Sequence, residues 1–290
     1  MMAALSHPSA LVTSTWLAEH LSDPQIKILD ASWHMPATGR SGRDEWQQLR
    51  IPGAQFFDFD QEIADQNTHL PHMLPSPEQF SQQVAALGIS NHHKVIIYDS
   101  LGIFAAPRAW WMFKAMGHED VAVLDGGLPS WQALDLPTDT APPSKAHAGQ
   151  FMARPQPQWQ VNASEVQNAL AQDDYQVLDA RSLERFSGQA PDPRAGVRSG
   201  HMPGATCLPF NQLLEQGHFL PKAQLAKKLA PVLKPEQRLI CSCGSGVTAA
   251  IIALAAYITG HKAIAVYDGS WTEWGSRTEL PIVTDAPASP

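Results

Sequence analysis

The sequence lacks any long apolar run: nothing in its 290 residues approaches the roughly 18 consecutive apolar side chains of a membrane-spanning helix. The stretch 249–258 is apolar but too short, and it reads as a buried helix. The opening residues, MMAALSHPSALVTSTWLAEHL, show no basic segment leading into a sustained apolar one, so no secretion signal is expected and a cytoplasmic location is the default. Cysteine is scarce. Cys207, Cys241 and Cys243 are too few, and odd in number, for a disulfide framework, and two of them stand one residue apart, a poor spacing for a bridge. In a reducing compartment such cysteines are buried or catalytic rather than paired. Basic residues are also few, 20 against 28 acidic, for a net charge of −8. That balance argues against nucleic acid as a partner, because phosphate binding needs a basic face. It leaves room for a local cationic pocket that takes a small anion.

What the sequence does contain is a repeat at the scale of a domain. IKILDASW at 26–33 resembles YQVLDARS at 175–182, and IPGAQFFDFDQ at 51–61 resembles MPGATCLPFNQ at 202–212. KVIIYDSLGIFAA at 94–106 aligns without a gap on RLICSCGSGVTAA at 238–250, and VAVLDGGLPSWQALDLP at 121–137 resembles IAVYDGSWTEWGSRTELP at 264–281. Each half thus runs through a β-branched segment ending in Leu-Asp, a Pro-Gly turn, a buried strand, an apolar helix and a strand ending in Asp-Gly. Strands alternating with helices predict an α/β fold with a mostly parallel sheet in each half, flanked by helices. Ligand sites of such sheets gather at the carboxyl ends of the strands. The Pro- and Ala-rich segment from about 138 to 158 has no apolar period. It reads as a linker, set at 141–158, between an N-terminal domain (1–140) and a C-terminal domain (159–290). The tail 284–290 reads as frayed.

Cys243 falls where the second buried strand meets the loop Cys243-Gly244-Ser245-Gly246-Val247-Thr248 and then a helix. Gly244 and Gly246 let the loop curl with positive φ where it is needed. Backbone N–H groups turned inward, together with the positive end of the helix, make a nest for an anion. Both effects favour the thiolate, the species that attacks a sulfane sulfur, and the same nest would hold the persulfide. Cys241, within the strand and on the same face as Cys243, reads as buried packing, with a redox partnership left open. Cys207, beside an apolar turn, reads as core. Other uses of such a loop fit less well. A phosphatase loop needs an arginine where Ala249 stands, a nucleotide-binding loop needs Lys-Ser/Thr after its glycines, and Cys241-x-Cys243 has no second pair with which to hold a metal.

The loop CGSGVTAA, the paired Pro-Gly-Ala turns, the DGSWTEW segment and the duplicated halves resemble the rhodanese superfamily over nearly all of 10–283. Within it they resemble the sulfurtransferases that use 3-mercaptopyruvate, since the thiosulfate-using members of similar length usually carry Arg and Lys after the cysteine. The resemblance implies two tandem rhodanese-like domains, no cofactor and no metal, and a persulfide on Cys243. The position matching Cys243 in the first half is Asp99, so that domain is implied to be scaffold and pocket wall. Residues 181–201 hold four arginines against two acids, and arginine's planar fork suits carboxylates. By resemblance Arg185 and Arg194 hold the substrate, together with the loop residues Gly244, Gly246, Val247 and Thr248, while Arg181 and Arg198 read as solvated. HMLP at 72–75 matches the family's first-domain segment at the active site, so Ser245, His72 and Asp60 match a proposed proton relay, although the chain has one more residue between Asp60 and His72 than the pattern. Trp33 reads as pocket wall or core, and the other histidines, the His92-His93 pair included, mostly as solvated. The implied reaction moves sulfur from 3-mercaptopyruvate to a thiol acceptor such as thioredoxin, or to cyanide, and releases pyruvate. Thiosulfate:cyanide sulfurtransfer is the alternative within the enzyme class. A non-catalytic binding module is the alternative outside it, and that reading would be favoured by a missing loop cysteine.

Overall fold

The β-branched runs form strands, and their order repeats. A computed structural model describes residues 10–142 and 146–284; the expected frayed tail beyond Thr284 and residues 1–9 of the N-terminal stretch lie outside the described residues. In the first half β1 (Leu11–Val12), β2 (Ile26–Asp30), β3 (Gln55–Phe56), β4 (Lys94–Tyr98) and β5 (Val121–Leu124) make a five-stranded sheet in the order β1-β5-β4-β2-β3. The second half supplies β6 (Gln160–Val161), β7 (Tyr175–Asp179) and β8 (Thr206–Cys207), a small antiparallel hairpin of β9 (Leu214–Glu215) and β10 (His218–Phe219), then β11 (Arg238–Ser242) and β12 (Ile264–Tyr267). Its sheet, β6-β12-β11-β7-β8, has the same order, and every neighbouring pair in both sheets is parallel.

Parallel strands joined by helical crossovers bring all their carboxyl ends to one edge. The register puts Asp30 beside Tyr98 in the first sheet and Asp179 beside Ser242 in the second. Asp99 and Cys243, one residue further on, therefore emerge at equivalent places.

The helices that follow, Ala106–Ala115 and Ala249–Thr259, pack against each other across the two halves. This contact explains why 249–258 is apolar all round: one face covers its own sheet and another meets its counterpart. Trp110 meets Tyr257 edge-on at 5.3 Å, and Lys114, buried between the halves, bonds Glu119 and lies over the rings of Trp159 and Tyr257. The two halves share one continuous apolar core. Residues 146–158 do not stand free of it. Phe151 is buried among Phe80, Phe113 and His118, and the backbone N–H groups of Gly149 and Arg154 donate to Ala85 O (2.7 Å) and Met116 O (2.8 Å). A single aromatic anchor produces no periodic pattern, which is why the segment looks featureless in the sequence.

Burial corrects one reading: Cys207 is half-buried on the edge strand β8 rather than in the core. Besides His72, the buried histidines among the described residues are His34, His118 and His201.

Candidate active site

The loop after β11 is shaped by what its glycines exclude. Gly246 has φ +79, the left-handed region, and a Cβ there would stand 2.8 Å from Arg108 Nη1 and 2.9 Å from Asp268 O. Gly244 does not use positive φ. Its value is room, because a Cβ would stand 3.3 Å from Arg185 Nη2 and 3.5 Å from Arg194 Nη1. The missing side chain thus seats two guanidinium groups beside the cysteine.

Cys243 is buried at the foot of a cleft of about 280 Å³, which Gly244, Ser245, Val247, Thr248, Arg185, Arg194 and Trp33 also line. Gly246 faces away, toward Arg108. The Cys243 N–H donates to Ser270 Oγ (3.2 Å), whose own hydroxyl donates to Tyr267 O (2.8 Å). The Cys243 carbonyl accepts from the Trp271 N–H (3.0 Å), and the Gly244 carbonyl from the Thr272 N–H (2.9 Å) and hydroxyl (2.6 Å). With the loop's outer carbonyls engaged in this way, the N–H groups of 244–249 carry no acceptor among the described residues. These are the donors an anion on Cys243 would use.

The other two cysteines are poor nucleophiles. Burial, with Cys243 nearby, pushes the Cys241 thiol well up. Burial and Asp179 push Cys207 up to about 12, against the pull of Arg181. Both stay protonated at neutral pH.

The arginines divide differently from the expectation. Arg185 Nη2 is held at 2.6 Å by the buried Asp192, whose other oxygen accepts the Arg194 N–H (3.0 Å). Arg194 has no carboxylate partner among the described residues and is turned to the cleft. Arg181 and Arg198 are not solvated. Arg181 is buried against Asp179 (2.8 Å), with its guanidinium 4.3 Å over Trp271. Arg198 donates to the carbonyls of Trp274, Gly275, Arg277 and Leu280. Both fix the scaffold around the cleft.

His72 is buried with φ +63, and the ring of Trp33 meets it edge-on at 5.0 Å. Asp60 Oδ1 lies 2.8 Å from His72 Nδ1 but off the direction of the ring N–H, so the contact is electrostatic rather than an aligned hydrogen bond. Burial is the main cause that lowers the His72 pKa, and the cations Arg108 and Arg194 add to it against the pull of Asp60. Burial works to raise Asp60, but His72 and Gln61 outweigh it and hold the carboxylate below its ordinary range. Asp60 opens onto a second cleft on the far side of Trp33, and no hydrogen bond joins His72 to Ser245 among the described residues. The geometry thus brings Asp60 and His72 together and leaves Ser245 apart from them.

Three residues with polar roles here, Ser270, Arg108 and Asp268, were not singled out from the sequence. The repeat carries a signal for one of them: Ser270, in the left-handed region at φ +48, stands opposite Gly127, which has φ +52. A serine kept where glycine is easier costs roughly 1–2 kcal/mol, which marks a position with work for its hydroxyl.

The chain is similar to known proteins over nearly its whole length. The family model described as "Rhodanese-like domain" matches residues 13–134 and 162–277, one match in each half. The human 3-mercaptopyruvate sulfurtransferase is 39% identical, with 92% of both chains covered. The mitochondrial thiosulfate/3-mercaptopyruvate sulfurtransferase 1 of Arabidopsis thaliana is 41% identical over 97% of this chain and 79% of that one. The crystal structure of an Escherichia coli 3-mercaptopyruvate sulfotransferase superposes with a TM-score of 0.83 at 36% identity, covering 91% of this chain and 99% of the other. With the same fold in both halves and near full-length identity to these enzymes, the chain belongs to the rhodanese family.

Proposed function

We propose that the protein is a sulfurtransferase that takes sulfur from 3-mercaptopyruvate onto Cys243. The Cys243 thiolate attacks the donor sulfur, the carbon–sulfur bond breaks, and the electron pair leaves as the enolate of pyruvate. The proton of the donor thiol ends on that carbon, so the products are pyruvate and a Cys243 persulfide anion. The N–H groups of 244–249 surround that anion, and the next thiolate, of thioredoxin or a small thiol, or cyanide, removes the outer sulfur. Ser245 lines the cleft where the donor thiol must lose its proton, and a hydroxyl can pass a proton where Arg or Lys cannot easily do so. The pair His72 and Asp60 lies behind it, and closing the gap to Ser245 falls to the bound substrate. The first domain, with Asp99 in place of cysteine, supplies His72, Asp60 and Trp33 and carries no sulfur. With three unpaired thiols the protein suits a reducing compartment such as the cytoplasm.

The observation that carries the choice of donor is the charge of the cleft. Arg181 is neutralised by Asp179, and Asp192 offsets one of the pair Arg185 and Arg194, which leaves one positive charge facing the substrate. That matches a single carboxylate better than the dianion thiosulfate. Steady-state kinetics with the two donors side by side test this reading. It expects the larger kcat/KM with 3-mercaptopyruvate, and a larger value with thiosulfate would assign the protein to thiosulfate:cyanide transfer instead.

A further inference from the structure

One ion pair is buried more deeply than the cleft, and no step above uses it. Arg108, on the helix Ala106–Ala115 of the first half, and Asp268, just beyond β12 of the second, are 0% and 1% exposed with Nη1 and Oδ1 2.6 Å apart. Arg108 Nη1 also lies 3.4 Å from the Gly246 carbonyl, Nη2 donates to the His72 carbonyl, and the guanidinium lies 4.4 Å over the ring of Trp111. Asp268 Oδ2 accepts the Leu74 N–H (2.7 Å) and Gln160 Nε2 (3.4 Å). One pair of charges thus ties the cysteine loop, the His72 segment and both halves together.

Stability does not explain it. Desolvating two charges is costly, and well-packed apolar replacements of a buried ion pair are often neutral or stabilising. The repeat supplies a control for the fold's own needs. Asp125 stands where Asp268 does, and it accepts the Phe219 N–H at 3.0 Å, from a segment HFLP that mirrors HMLP. The place of Arg108 in the other helix is taken by the buried Ile252. That junction closes with the partly exposed His218 Nδ1 3.5 Å from Asp125 Oδ2 in place of a guanidinium, and the fully buried, permanently charged pair stands on the side that carries Cys243.

We infer that Arg108 and Asp268 are a positioning pair, which fixes the loop 243–248 and the His72 backbone relative to each other and so sets the rate of sulfur transfer. In a planar trans peptide the carbonyl and the next N–H point opposite ways. Holding the Gly246 carbonyl toward Arg108 therefore turns the Val247 N–H away from it. Holding the His72 carbonyl keeps that residue in its left-handed conformation, under Trp33. The inference rests on Cys243 as the sulfur carrier.

The test compares Arg108→Lys with the double variant Arg108→Met/Asp268→Leu, which removes both charges and leaves none unpaired. Each is measured for thermal midpoint, for sulfur loaded per chain by intact mass, and for kcat and KM with 3-mercaptopyruvate per loadable chain. We expect the double variant to melt near the wild type while its kcat falls about 10- to 100-fold at little-changed KM, the scale of a misplacement near 1 Å. Arg108→Lys, which keeps the charge but not the fork, should recover part of that loss. Loss of the cation should also move the acidic limb of the kcat/KM profile to higher pH, because Arg108 helps to hold the His72 pKa down. Wild-type kcat per loadable chain in the double variant would overturn the proposal. So would an unchanged pH profile with activity that only tracks the thermal midpoint. If the double variant does not fold, Arg108→Lys decides alone: wild-type kcat there refutes the pair's role, and a kcat loss with unchanged midpoint supports it. A sulfur adduct retained by Cys243→Ser would refute the underlying reading separately, whatever Arg108 does.

Discussion

Asp99 and Cys243 occupy the same place in two copies of one loop, and the copies differ in what fills them. In the first half Asp99 Oδ2 accepts the N–H groups of Phe104 (2.9 Å), Ala105 (2.8 Å) and Ala106 (2.8 Å), and Oδ1 accepts that of Leu101 (2.9 Å). The matching residues in the second half are Thr248, Ala249, Ala250 and Ser245, and of these Thr248, Ala249 and Ser245 have no acceptor among the described residues. Gly102 and Gly246 both have positive φ, and the carbonyls of Asp99 and Cys243 both accept an N–H at 3.0 Å, from Leu128 and Trp271. The backbone is therefore an anion cradle in both halves. A carboxylate fills the first from within, whereas the shorter cysteine side chain leaves donors over for an added sulfur atom.

The nucleophile should respond most strongly. Cys243→Ser should reduce turnover with either donor to background while leaving the thermal midpoint close to that of the wild type; residual turnover above background would move the chemistry elsewhere. Next come the aspartates that end β2 and β7, Asp30 and Asp179. Asp179 is paired with Arg181, while the matching partner of Asp30 is Ser32, whose N–H it accepts at 2.8 Å. Asp179→Asn leaves Arg181 buried and unpaired, which should cost about 3–5 kcal/mol in denaturant unfolding. Asp30 behaves in the opposite way. Burial raises its pKa from 3.8 to about 7, against its bonds to Ser32 and Tyr98. Between those values the folded chain holds a proton that the unfolded chain has lost, so stability falls as pH rises from about 4 to 7, by at most about 1.4 kcal/mol per unit. Asp30→Asn should flatten that decline, and an unchanged slope would show that Asp30 is ionised when folded.

Substitutions in the cleft should have smaller effects. Arg185→Lys and Arg194→Lys keep the charge but lose the fork, and removing a charge-assisted bond of about 1.5–3 kcal/mol should lower kcat/KM roughly 10- to 150-fold. Unchanged kinetics in both would leave the donor carboxylate without its clamp. Least affected should be Cys241→Ser, which retains most activity because that thiol is buried in the sheet and protonated.

Much of this was legible because the chain states its fold twice. Comparing the halves gives the strands, the Asp-Gly turns and the place of Cys243, while the roles of Arg185 and Arg194 came from the family resemblance of their segment. The solvated reading of Arg181 and Arg198 failed for a physical reason. A charge count over 181–201 cannot show that Asp179 and four backbone carbonyls from 274–280 turn inward to meet them. Arg108 was hidden in a helix that otherwise reads as apolar, and its partner Asp268 lies 160 residues away, so only the closed junction reveals them. Gly244 looked like a conformational glycine, but its use is the space it leaves for two guanidinium groups.

Of the two cradles, the one at Cys243 carries the sulfur. Intact-mass measurement after donor treatment, followed by mapping of the modified peptide, separates the two. A gain of roughly 32 Da, one sulfur atom, is expected on the peptide containing Cys243, and no gain in Cys243→Ser. Sulfur on Cys207 or Cys241, or an adduct that survives in Cys243→Ser, would contradict this assignment.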